Sequence, residues 1–89
     1  MVANVLMYVK PGCPYCAGAE GLLSKKGVEY QTINYFELSE EELEELAQKT
    51  DNWNTAPMIF INDNFVGGFD NLEALDKSGE LDKLLEDKA

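Results

Sequence analysis

The sequence predicts an α/β fold, a four-stranded mixed β-sheet flanked by helices in the order β-α-β-α-β-β-α, with a further short helical segment at the end. Three observations predict it. Apolar runs of strand length alternate with longer stretches of helical periodicity. Helix start and stop signals flank those stretches. The last two strand-like runs are joined by a tight turn at Asn62, Asp63 and Asn64, as in an antiparallel hairpin. The length of 89 residues suits a single domain spanning 1–89.

Asn4 to Val9 (NVLMYV) is apolar, partly β-branched and too short for a helix, so it reads as a buried strand. A helix opens at Cys13 or Pro14, because proline suits a first helical position whose N–H has no intrahelical partner. Ala17, Leu22 and Leu23 supply its apolar face, Lys25 and Lys26 suit the dipole of its last turn, and Gly27 stops it. Gly18 and Gly21 each cost this helix about 0.5–1 kcal/mol relative to alanine, and the sequence alone gives no reason for them. Val28 to Asn34 reads as the second strand, parallel to the first across a right-handed crossover. Ser39 and Glu42 form a capping box ahead of an inward stripe of Leu43, Leu46 and Ala47. Pro57 to Ile61 and Phe65–Val66 are the hairpin strands. A helix follows from about Asn71 to Lys77, ending at Ser78–Gly79, and a last segment carries Leu81, Leu84 and Leu85.

Composition excludes several function classes. Seventeen acidic residues against seven lysines give a net charge of −10, which repels phosphate backbones, so nucleic acid is not an expected partner. The absence of histidine removes His-ligated metals and Cys–His nucleophile pairs. No apolar run approaches the ~18 residues of a membrane span. The N-terminal MVANVLMYVK lacks a basic region and a cleavage site, so it reads as a strand, and a cytoplasmic location is the expectation.

The two cysteines, Cys13 and Cys16, lie in VKPGCPYCAGAE. As a structural disulfide they would close a loop of a few residues, for little gain in chain entropy. As zinc ligands they are two where four are usual. As a reactive dithiol they make chemical sense. Cys13 at a helix start faces unpaired N–H groups and the positive dipole end, with Lys10 nearby, so its pKa should fall below the ordinary ~8.5. Cys16, a turn further in, should be more buried and less acidic. Cys13 then attacks a disulfide sulfur and Cys16 resolves the mixed disulfide.

Three stretches, KPGCPYC, TAPMIFI and VGGFDN, in this order and spacing, resemble a dithiol glutaredoxin of the thioredoxin fold across nearly the whole chain. The resemblance implies a glutathione-dependent thiol–disulfide oxidoreductase acting through Cys13 and Cys16, with glutathione as reductant and no metal. It implies a monomer whose partners are glutathionylated or disulfide-containing proteins such as ribonucleotide reductase. It implies a cis Ala56–Pro57 bond that leaves the Ala56 N–H and C=O free for an extended peptide, with Thr55 beside it. Gly67 and Gly68 would permit close approach or positive φ, and the N–H groups of Phe69 and Asp70 would meet the α-carboxylate of glutathione. The Asp70 side chain would accept from the ligand ammonium, cap the next helix, or both. Lys10 would meet the glycyl carboxylate and Tyr15 would flank the sulfurs.

The chain departs from that pattern in having no basic residue between Cys16 and Lys25 and none in TDNWNTAP. Losing one or two charge-assisted contacts weakens binding by about 5- to 150-fold. Trp53 either covers the ligand groove or packs over the loop. The acidic helix from Glu40 to Glu45 is a solvated face or a selector of basic partners. Two other readings keep the fold. One takes electrons from thioredoxin reductase. The other carries a glutathione-ligated [2Fe–2S] cluster, against which Pro14 after Cys13 argues.

Overall fold

Alternation along two strands decides which side of the sheet each apolar residue serves. In the computed structural model, which describes residues 4–86, β1 (Val5–Val9) points Val5 and Met7 to one face and Leu6 and Tyr8 to the other. β3 (Met58–Ile61) divides in the same way, Ile59 and Ile61 against Met58 and Phe60. Both faces are therefore apolar and both are covered. On the first face α1 (Pro14–Lys25), α3 (Phe69–Ser78) and α4 (Glu80–Glu86) bury Ala19, Leu23, Leu72, Leu81 and Leu85 against Val5, Met7, Ile59 and Ile61. On the second, α2 (Glu40–Lys49) buries Leu46 against Met58 and Phe60, with Trp53 and Phe65 beside them.

The sheet order is β2-β1-β3-β4, with β2 at Gln31–Asn34 and β4 at Asn64–Gly67. β1 pairs parallel with β2 and antiparallel with β3, and β3 and β4 form the closing hairpin. This is the expected mixed topology. The hairpin turn is a tighter one than expected. Asn62 and Asp63 alone take positive φ (52° and 67°), the pattern of a two-residue primed turn, and Asn64 already belongs to β4.

Other boundaries shift for local reasons. The second strand begins at Gln31, not Val28, because the Val28 N–H donates to the Leu23 carbonyl at 3.3 Å as part of the exit from α1. Ala17 is exposed, and the inward positions of α1 are Cys16, Ala19 and Leu23. On α2 the box is as read: Ser39 Oγ accepts from Glu42 N–H at 3.1 Å, and Glu42 Oε1 accepts from Ser39 N–H at 2.9 Å. Leu46 is its one buried residue, with Leu43 and Ala47 half-buried. A 3-10 turn at Tyr35–Glu37, capped by Asn34, intervenes before it. α3 starts at Phe69, two residues ahead of expectation, with Gly68 as N-cap.

Candidate functional site

The preference of a helix start for an acceptor side chain positions the first sulfur. Cys13 is the N-cap of α1, with extended backbone (φ −90°, ψ 111°), and Pro14 follows at the first helical position. Its Sγ accepts from the Cys16 N–H at 3.3 Å. As a thiol it also donates to the Ala56 carbonyl at 3.7 Å, across the cis Ala56–Pro57 bond. This carbonyl is therefore not without a partner: the protonated Cys13 reaches it as a weak donor and leaves its second lone pair open. Cys13 is half-buried and Cys16 only 4% exposed.

Burial opposes ionisation of Cys13. Hydrogen bonds from the Cys16 thiol and the Cys16 and Tyr15 backbone outweigh it, and with the Lys10 charge they bring the thiol below its ordinary value. Burial, the Cys13 contact and the charges of Cys13 and Glu20 push Cys16 the other way, up to about 11. One sulfur is ready to ionise and its neighbour is not.

Two hollows flank Cys13. The smaller, about 310 Å³, gathers Tyr15, Thr55, Ala56, Gly68, Phe69 and Asp70, six of the expected site residues, with Trp53 and Asn71. Pro57 is buried behind it. The 61%-exposed Tyr15 stands 6.4 Å from the Phe69 ring, centroid to centroid. A Cβ on Gly18 would lie 3.3 Å from that ring, which accounts for one of the two costly glycines; nothing lies within 4 Å of a Cβ on Gly21. Trp53 lines this hollow and packs edge-on to Phe65 of β4 at 5.4 Å.

The floor of the hollow ends at the start of α3. Gly67 takes φ 124°, where a Cβ would come 2.6 Å from Asn71, whereas Gly68 has φ −96° and abuts Trp53 and the Pro57 carbonyl. The Gly68 N–H donates to Asn71 Oδ1 at 3.1 Å, so Asn71, not Asp70, completes the helix start. Asp70 occupies the second helical position, where backbone N–H groups have no intrahelical acceptor.

Lys10 is not brought into this group. Its Nζ sits 4.7 Å over the Tyr35 ring and 5.9 Å from that of Phe36, and it lines the larger hollow of about 500 Å³ with Cys13, Cys16, Glu20 and Asn34. Sequence reasoning missed Glu20, Asn34 and Asn71. Only Glu20 left a signal, its position four residues after Cys16. Among the described residues no group of three or more His, Cys, Asp or Glu converges on a metal-binding point, and no helix is long and apolar enough to cross a membrane.

A family model described as Glutaredoxin matches residues 5–66. The chain is 45% identical over 83 residues to glutaredoxin 1 of Rickettsia prowazekii, covering 93% of this chain and 87% of that one. Among solved structures it superimposes on a buckwheat glutaredoxin–glutathione complex with a TM-score of 0.82 at 28% identity, over 93% of this chain and 76% of that one. On the dithiolic glutaredoxin of Trypanosoma brucei brucei the TM-score is 0.81 at 40% identity, over 94% and 88%. The expected thioredoxin-like fold is borne out.

Proposed function

Because the chain belongs to the glutaredoxin family, we propose that it is a dithiol, glutathione-dependent thiol–disulfide oxidoreductase. The observation that carries this reading is the ionisable Cys13 sulfur, 3.7 Å from the Ala56 carbonyl at the mouth of a groove that ends on a helix start and Asp70.

In the first exchange the Cys13 thiolate attacks one sulfur of a disulfide. The S–S bond breaks, and the departing sulfur takes the bonding pair and then a proton. Cys16 gives up its proton and attacks Cys13, releasing the second half of the substrate as a thiol and leaving a Cys13–Cys16 disulfide that glutathione reduces. Glutathione lies along Thr55 and Ala56 with Tyr15 and Phe69 beside its sulfur. Its α-carboxylate meets the N–H groups of Phe69 and Asp70, and its ammonium group meets the Asp70 carboxylate. For Lys10 to reach the glycyl carboxylate its ammonium must leave the Tyr35 ring. The buckwheat glutaredoxin, a protein of similar fold solved in complex with glutathione, supports glutathione as the ligand. Glutathionylated and disulfide-bonded proteins are the proposed substrates.

A coupled assay with glutathione and a small mixed disulfide tests the reading. Turnover should require glutathione and vanish in Cys13→Ser; activity surviving that change would sink it. One observation favours a second electron source: among the described residues Asp70 is the only charged one lining the groove, and it is negative. Reduction by thioredoxin reductase and NADPH without glutathione would decide for that reading.

A further inference from the structure

Glu20 stands one helical turn beyond Cys16 on α1, and residues four apart share a helix face with Cβ atoms about 5–6 Å apart. Both line the larger hollow. Glu20 is half-buried, and its Oε1 accepts from the Tyr30 hydroxyl at 3.2 Å. Tyr30 in turn packs on the main core just ahead of β2. A carboxylate that could otherwise swing into solvent is tied down beside the buried sulfur. Nothing in the chemistry proposed above uses it.

We propose that Glu20, held by Tyr30, is a positioning residue whose charge adds to the burial that keeps the Cys16 sulfur protonated and so slows the second thiol exchange. This rests on the reading of Cys16 as the resolving thiol. In that exchange Cys16 loses its proton to water and its sulfur attacks Cys13 Sγ. The bond from Cys13 to the substrate sulfur breaks, and that sulfur leaves with the bonding pair and picks up a proton. Two electrons pass from the dithiol to the substrate. Only the thiolate attacks, so a fixed anion nearby acts by thinning the population of the attacking form.

The surroundings of Cys16 point the same way. Burial raises its pKa most, with the Cys13 thiol and the charges of Cys13 and Glu20 adding to it, against one backbone hydrogen bond from Lys10. The Lys10 ammonium, the cation that could offset Glu20 in this hollow, is held over Tyr35. A mixed disulfide removes the Cys13 thiol and its charge but neither the burial of Cys16 nor Glu20, so it lives longer and gives a second small thiol time to intercept it.

The test is the rate of Cys16 alkylation against pH in a Cys13→Ser background. It involves no glutathione, so it succeeds or fails independently of the glutathione reading. Glu20→Gln should move the midpoint to lower pH and lower the high-pH plateau, since a less basic thiolate is a weaker nucleophile. If the lost charge gives about tenfold more thiolate, the weaker nucleophilicity of that thiolate leaves a net gain of about threefold at pH 8. Glu20→Asp should keep the slow profile and Tyr30→Phe should fall between. Added salt should speed the Glu20 protein toward the Gln variant and leave the latter unmoved. An unmoved midpoint overturns the proposal. So does a raised plateau, which reports loosened packing around Cys16, and so does slower alkylation in Glu20→Gln, which would make the carboxylate a proton acceptor.

Discussion

The backbone N–H of Cys16 donates to the Sγ of Cys13 at 3.3 Å, so the second cysteine stabilises the first with its main chain while its own thiol is held protonated by burial. A CxxC spacing on a helix start places this donor by itself, since residue i+3 of the N-cap carries an N–H with no helical acceptor. Two thiols of one peptide segment thus diverge in acidity without any metal or histidine.

Alkylation of the reduced protein at mildly acidic pH should label Cys13 and spare Cys16, because Cys13 is shifted below its ordinary range and Cys16 is shifted above it. Mass mapping of the labelled peptide checks this. Cys13→Ser should cut the labelling rate at pH 6 by about 100-fold or more.

Cys16 also gives stability a dependence on alkaline pH. Its folded pKa, about 11, lies above that of the unfolded chain, so between the two the folded state holds the proton and the unfolded state does not. The contribution is complete below the unfolded value and is lost as pH rises toward 11. Chemical denaturation of Cys13→Ser and Cys13→Ser/Cys16→Ala should show a stability difference that narrows across that window, by less than burial and the Cys13 contact give together in the reduced protein.

The two glycines of α1 should part company on substitution. Gly21→Ala meets open space and should stabilise the helix by about 0.5–1 kcal/mol. Gly18→Ala gains the same helix propensity but presses its Cβ to 3.3 Å from the Phe69 ring. Its net stability change should be smaller, and the displaced ring should raise KM for glutathione-linked substrates. Thermal melts and steady-state kinetics of both variants give the comparison.

Asp70→Ala should raise KM for glutathione-linked substrates by about 10- to 100-fold, the loss of one charge-assisted contact, with a smaller change in kcat. Lys10→Ala should change KM by less, since its ammonium is engaged on Tyr35. An order of effects with Lys10 ahead of Asp70 would mean that the cation leaves the ring on binding.

What the sequence revealed follows the range of each interaction. The Ser39–Glu42 box was legible because both of its bonds close within four residues. The strands were legible because a short apolar run is a property of each segment alone, whereas the pairing of β1 with β3 joins residues some fifty positions apart and was not. Gly68 as the N-cap of α3 was not, because glycine carries no side-chain signal and Asp70, two residues on, does. The aromatic neighbours of Lys10 were not legible for a different reason: Tyr35 and Phe36 reach it only through the pairing of β1 with β2. Phe69 against Gly18 is likewise a contact between two helices that no local pattern announces.

The bond from the Cys13 thiol to the Ala56 carbonyl works as a latch. While the sulfur keeps its proton, it takes one of the two lone pairs of that main-chain acceptor. Ionisation removes the donor, so the sulfur is armed and the lone pair released in the same event.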